Sequence, residues 1–176
     1  MSRQYWVAPI GPFTITDAAN NTFTTLRDIT QAPQITIPAH TLELGSEIDL
    51  QASGEVSSTG ACTYTFGFYY GAVAGVALAA STAQTVTTGV AWPWIMRWRG
   101  VVRAIGATGS IKGQGRLYLG TSLVAFAIRP IPETAAGRTV TIDTTIAKAL
   151  TVGSACGTSN AANSITCYDL SCKLVT

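Results

Sequence analysis

Apolar and polar residues alternate with a period of two through most of this chain. The longest instance is Trp92–Ala104. Its even positions hold Trp92, Trp94, Met96, Trp98, Gly100, Val102 and Ala104, and its odd positions include Arg97, Arg99, Val101 and Arg103. One face aromatic and the other largely cationic is the signature of a half-buried antiparallel strand. Three of the 4 tryptophans stand on the apolar face, and each can bury on the order of 150–250 Å². Trp94 and Trp98 are therefore expected in the core. Thirteen residues exceed the usual strand, so a bend or bulge is expected at Gly100.

The same rule reads the rest of the chain. Glu47–Val56 places Ile48, Leu50, Ala52, Gly54 and Val56 against Glu47, Asp49, Gln51, Ser53 and Glu55. Ser57–Gly60 is a turn. Cys62–Tyr70 sets Tyr64, Phe66, Phe68 and Tyr70 on one face, and Ile111–Leu119 opposes Ile111, Leu117 and Leu119 to Lys112, Gln114 and Arg116. Shorter strands are expected at Thr22–Ile29, Ile35–Pro38, Val73–Ala79, Thr139–Ile146 and Ala149–Val152, and a long one at Ser164–Val175. Ser122–Ile128 is apolar on both faces, which suits a central strand or a contact between subunits. No segment carries a convincing helical period. The chain reads as all-β, a jelly-roll β-sandwich of about 8–10 antiparallel strands. An immunoglobulin-like sandwich is the second choice, and its Cys…Trp…Cys spacing is missing. Connections 80–91 and 130–138 are long enough to pass between sheets.

Residues 1–21 differ from the domain that follows at 22–176. Tyr5, Trp6, Val7, Ile10 and Phe13 are punctuated by Pro9, Gly11 and Pro12, and proline favours extended backbone that donates nothing to a ladder. The segment reads as an extended arm that binds a neighbour or partner, or as an irregular first strand on its own domain.

Composition changes the picture in one respect. Charged residues make up 11% of the 176, against about 25% in an ordinary soluble domain, and mean hydropathy is +0.30. The most apolar run, Gly71–Ala80, is about half the length of a spanning helix, and no signal-peptide core is visible. No membrane insertion is expected, so the low charge points to burial against copies of the chain or another protein. Net charge is +2, too little to suggest nucleic acid.

Candidate chemistry is sparse. Arg97, Arg99 and Arg103 form a cationic row that suits an acidic partner surface, or a solvated face paired with Glu47 or Asp49. His40 has no nearby cysteine or nucleophile, and Asp143 lacks an evident second carboxylate for a glycosidase pair. Gly113-Gln-Gly115 is not followed by the helix a phosphate loop requires. Trp6, Tyr69 and Tyr70 could stack on sugars, though buried or interface aromatics are the simpler account. Four cysteines, Cys62, Cys156, Cys167 and Cys172, admit two readings. Cys156–Cys167 closes a hairpin across the Gly157–Asn163 turn with Cys62–Cys172 as the second bridge, or all four are buried thiols. Cys167 and Cys172 differ by an odd number, which places them on opposite sides of a regular strand. Neither zinc, a cofactor nor enzymatic activity is expected.

Together, Phe23-Thr-Thr-Leu-Arg-Asp-Ile29, Ile35-Thr-Ile-Pro-Ala39, Glu47-Ile-Asp-Leu-Gln-Ala-Ser-Gly54, Thr63-Tyr-Thr-Phe-Gly-Phe-Tyr-Tyr-Gly71, Met96–Gly106 and Lys112-Gly-Gln-Gly115 resemble the small trimeric jelly-roll proteins of tailed-phage virions, whose fold is similar to tumour necrosis factor. The resemblance implies virion structure on the phage surface: a homotrimeric capsid decoration (cement) protein bound to the major capsid protein, or alternatively a head-fibre or tail receptor-binding module that contacts host glycan or protein. The cysteines are not part of that pattern.

Overall fold

The computed structural model describes residues 3–7, 13–16, 27–29, 35–73, 75–122, 124–158, 160 and 162–176. Among them the chain forms two antiparallel sheets packed face to face. The strands are β1 (Arg3–Val7), β2 (Phe13–Thr16), β3 (Arg27–Asp28), β4 (Ile35–Ile37), β5 (Glu47–Ser58), β6 (Cys62–Tyr70), β7 (Val76–Ala80), β8 (Gln84–Val86), β9 (Gly89–Ala104), β10 (Gly109–Ser122), β11 (Ala125–Ile131), β12 (Thr139–Ile142), β13 (Lys148–Cys156) and β14 (Ser164–Val175). The first sheet runs β1-β14-β5-β9-β10-β11, with β2 also on β14 and β12 also on β10; the second runs β3-β13-β6-β7, with β4 on β13 and β8 on β6. The sandwich expected from the alternation is present. Its strand number exceeds the expected 8–10 because β1, β2, β3, β4, β8 and β12 are short edge pieces.

The chain path explains how the layers are held. The pairs β5–β6 and β13–β14 each cross from one sheet to the other, and they lie side by side: β5 pairs β14 in the first sheet and β6 pairs β13 in the second. They fold over together, as jelly-roll pairs do. From β9 to β12 the chain instead stays in the first sheet. The 132–138 connection, long enough for a sheet crossing, only steps from β11 to β12, both of which pair with β10.

The core forms where the alternation placed it. Trp94, Met96, Trp98 and Val102 of β9 are buried against Ile48, Leu50 and Val56 of β5, Leu117 and Leu119 of β10, and Phe66 and Phe68 of the facing sheet. Phe66 and Trp94 stack at a tilt, with ring centroids 5.4 Å apart. Glycines make room for the indoles. A Cβ on Gly100 or Gly113 would overlap the Trp98 ring, and one on Gly54 would overlap Trp94. Gly100 thus serves close packing, and the expected bend there is absent: pairing runs straight through it, Ile48 on one side and Gly113 on the other. The irregularities lie at Arg103, where β9 carries one extra residue against β10, and opposite Val56–Ser58.

The cysteines correct the expected pairing. Cys62 and Cys156 form the disulfide, with Cα atoms 6.4 Å apart, while Cys167 and Cys172 are buried thiols. The reason is topological. The turn after Cys156 carries the chain into the other sheet, so Cys156 and Cys167 do not flank a hairpin, whereas β6 and β13 are neighbours. Bridging requires Cα atoms within about 7 Å. A bulge at Tyr168, between the pairs Cys167↔Gly54 and Asp169↔Ser53, reverses the facing of β14. Cys167 and Cys172 therefore both point inward despite their odd spacing. Burial pushes each thiol up to about 12.

The N-terminal residues pair with their own domain. β2 covers β14 from Ser164 to Cys167, and β1 covers it from Ser171 to Val175. An otherwise open edge, a hazard for intermolecular pairing, is closed in two pieces. Ile10, and the side chains of Tyr5, Trp6, Val7 and Phe13, lie outside the described residues.

Candidate functional site

The outer face of the first sheet carries the distinctive surface chemistry. Antiparallel register aligns β5, β9, β10 and β11 into rows running across the strands. In the first row Glu55 and Pro93 lead to Phe126, which lies opposite Gly120. The second holds Ser53, Ile95, Tyr118 and Ile128. The third holds Gln51, Arg97, Arg116 and Pro130. The fourth holds Asp49, Arg99 and Gln114, and the fifth Glu47, Val101, Lys112 and Thr139. Successive rows are about 6.6 Å apart, twice the rise of a strand residue.

Beyond Glu55 and Ser53 at their β5 end, the first two rows are largely apolar and open to solvent. Phe126 is 65% exposed, Ile128 58% and Ile95 37%. Phe126 and Ile128 belong to the segment read as apolar on both faces. In the fold its inward side is Ala127 against the core and its outward side is Phe126 and Ile128. At this end a hollow of about 830 Å³ is lined by Val90, Trp92, Pro93, Val124 and Phe126 beside Thr87, Thr88 and Ser122. Its wall includes Ala91, held at φ 60, a backbone conformation that disfavours a side chain.

The third row is cationic, and the fourth and fifth each hold one cation and one carboxylate. Arg97, Arg99 and Arg103 are all exposed, as the alternation implied. Arg99 donates to Glu47, and that hydrogen bond, followed by the carboxylate charge, holds its proton more firmly. Arg97 differs: its neighbours across the strands are Gln51 and Arg116. Three adjoining hollows bring together Arg97, Arg99, Arg103, Lys112, Arg116 and Arg138 with only Glu47 and Asp49. Six cations against two carboxylates is a local excess of four, where the whole chain carries +2. Arg138, from the 3-10 turn Ala136–Arg138, has a buried Nε with no hydrogen-bond acceptor among the described residues. Sequence reading missed Arg116 and Arg138 as partners of this row. The parity of Arg116 was legible, but nothing local indicated that it would stand opposite Arg97.

The other candidates take structural places. The Asp143 carboxylate accepts from the backbone N–H and hydroxyl of Thr145, at 2.9 and 2.6 Å, and these bonds hold its pKa below the usual range. It closes its own turn. His40 is exposed, with its N–H bonded to the Thr144 carbonyl at 3.0 Å. Gly113-Gln-Gly115 lies within β10. Tyr69 and Tyr70 are buried; Tyr70 donates its hydroxyl to the Asp143 carbonyl, and burial, then the Asp143 charge, pushes its pKa up to about 12. Neither ring is free to stack on a sugar. Among the described residues no helix is long and apolar enough to cross a membrane, and no group of three or more His, Cys, Asp or Glu side chains is placed to hold a metal ion.

No protein-family model and no curated protein matches the chain. Among solved structures it is similar to the CBM2 module of the evolved Dit of Lactobacillus casei BL23 phage J-1, at 11% identity and a TM-score of 0.33, over 78% of this chain and 66% of that one. It is also similar to a chain of infectious bursal disease virus, Gx strain, at 14% identity and a TM-score of 0.32, over 99% of this chain and 32% of that one. The chain thus spans about two thirds of the first and a third of the second.

Proposed function

We propose that this chain is a non-enzymatic structural protein of a phage virion: a homotrimer that decorates the head lattice through contact with the major capsid protein. The observation that carries the reading is the exposed apolar part of the first sheet's outer face, Ile95, Phe126 and Ile128. A water-facing strand with these side chains is stabilised when another surface covers it. The low charged fraction, 11%, and the strand rhythm resembling trimeric virion jelly rolls point the same way. In this reading the first row, with Phe126 and the hollow beside it, makes the contact between copies, the adjoining rows of the same face dock on the capsid protein, and the N-terminal residues Tyr5, Trp6, Val7, Ile10 and Phe13 add to the contact with the particle. Light scattering during size exclusion should give a trimer that Phe126→Asp converts to monomer. Imaging of the virion should then place it on the head. A monomeric wild-type chain, or its absence from particles, refutes the reading.

A second reading, a head-fibre or tail receptor-binding module, is favoured by the hollow where Trp92 and Phe126 stand beside Thr87, Thr88 and Ser122. Aromatic faces with hydroxyls at their rim suit a sugar ring. Binding of host-surface glycan that Phe126→Ala abolishes, by a protein located on the tail, would select it.

A further inference from the structure

Arg97 and Arg116 stand directly opposite each other on β9 and β10, and both are exposed. Like charges in that position repel. Here the row continues as Gln51 on one side and Pro130 on the other. The nearest carboxylate around the pair is Asp49, one row away beside Arg99 in the same hollow of about 180 Å³. Glu47 is engaged by Arg99. On the far side of Arg116 a second hollow, about 320 Å³, holds Arg138, whose buried Nε has no acceptor among the described residues. The two hollows share Gln114, Gly115 and Arg116, so the cations border a continuous trough.

The neighbouring rows specify what fits. One step toward the apolar end lie Ile95, Tyr118 and Ile128. One step the other way lie Asp49, Arg99 and Gln114. The step, about 6.6 Å, equals the spacing of residues i and i+2 in an extended peptide. A sulfated glycan or a nucleic acid would match the arginines but would set an anion against the apolar row and another against Asp49. An extended polypeptide with one acidic and one apolar side chain two positions apart matches both rows, and guanidinium forks bind carboxylates bidentately.

We propose that Arg97 and Arg116 receive a carboxylate from an extended acidic segment of a partner protein, whose apolar residue two positions away rests on Ile95, Tyr118 and Ile128. The inference rests on the docking role proposed for this face and adds the chemistry of the partner. Because the site is exposed, the contact is salt-sensitive.

The test uses the full chain and a fluorescent synthetic peptide with the repeat Glu-Thr-Ile-Thr, read by anisotropy at low salt. The peptide should bind, and its Gln-for-Glu counterpart should bind at least about ten-fold more weakly. Arg97→Gln with Arg116→Gln should weaken the Glu peptide by a similar factor while leaving the melting temperature equal or higher. Ile128→Ala should weaken both peptides. Equal binding of the two peptides, or indifference to the double arginine substitution, overturns the proposal. So does tighter binding of a heparin oligosaccharide of equal charge, which would assign the trough to a sulfate or phosphate polymer. Particle occupancy separates this result from the function proposed above. If the double variant still decorates particles at wild-type occupancy, the trough inference fails and the docking role stands. If peptide binding behaves as expected but the chain is absent from virions, the docking role fails and the trough inference stands.

Discussion

The two faces of the β9–β10 ribbon share a backbone but obey different rules. Inward, shape dominates: Trp94 and Trp98 fill space left by Gly54, Gly100 and Gly113, and neither buried indole N–H has a hydrogen-bond partner among the described residues. Outward, the same strands and their neighbour β11 leave Ile95, Ile128 and Phe126 in water, and β9 and β10 set two arginines against each other. The inner face accepts unpaired polar atoms for packing, and the outer face accepts repulsion and exposed apolar area without any packing in return. A free monomer gains nothing from the second arrangement, whereas a docked one does. The contrast locates the packing on one face and is the reason an interaction is proposed for the other.

The contrast can be broken most severely at Trp98. Trp98→Ala removes a fully buried ring and should cost about 3–5 kcal/mol, read as a shift in denaturant midpoint; a shift near zero would mean that the inner face does not carry the core. Gly113→Ala attacks the same fit from the other side. Its Cβ would overlap the Trp98 ring and the Arg99 carbonyl region, and overpacking of this kind costs about 1–3 kcal/mol. A neutral result would show that the indole relaxes freely. The outer face should give smaller effects of opposite sign: Arg116→Gln relieves the repulsion with Arg97 and should stabilise by about 0.2–1 kcal/mol, fading as salt is raised. Destabilisation would mean that an unrecognised partner already satisfies the pair.

The buried thiols sharpen the picture of the interior through pH. Burial pushes Cys167 and Cys172 up to about 12, above the ordinary thiol value near 8.5. Raised folded values mean that the unfolded chain releases these protons first. The stability they contribute is complete below about pH 8.5 and is lost as pH rises toward 12. Replacing both by alanine or serine should flatten that decline. In the folded protein at neutral pH neither thiol should react with a disulfide reagent, and both should react on unfolding; rapid reaction in the native state would show that the inward turn of β14 is transient.

The strands whose pattern spans many residues were legible in advance. For β5, β9 and β10, alternation alone separated Trp94, Met96 and Trp98 from Arg97 and Arg99, because the two-residue period is local and one buried face enforces it. Asp143 closes a local turn with Thr145, whereas the backbone N–H of His40 reaches the Thr144 carbonyl across the fold, a contact no local pattern shows. The choice of Gly100 as a bend failed because a glycine in a strand has two uses, bulge or close approach, and only the neighbouring Trp98 ring decides between them. The cysteine pairing failed for a related reason: whether a turn closes a hairpin or crosses between sheets depends on what the following strand finds to pair with.

What the sequence determined by itself is therefore the facing of each residue within a long strand, a consequence of pleating between adjacent residues. The tertiary structure alone decided which strands are neighbours and at what register. That choice brought Cys62 to Cys156, placed a bulge at Tyr168 that turned Cys167 inward with Cys172, and set Arg97 opposite Arg116 one row from Ile95 and Ile128. These are contacts between segments separated by tens of residues, fixed by the joint packing of two sheets, and no local pattern encodes them.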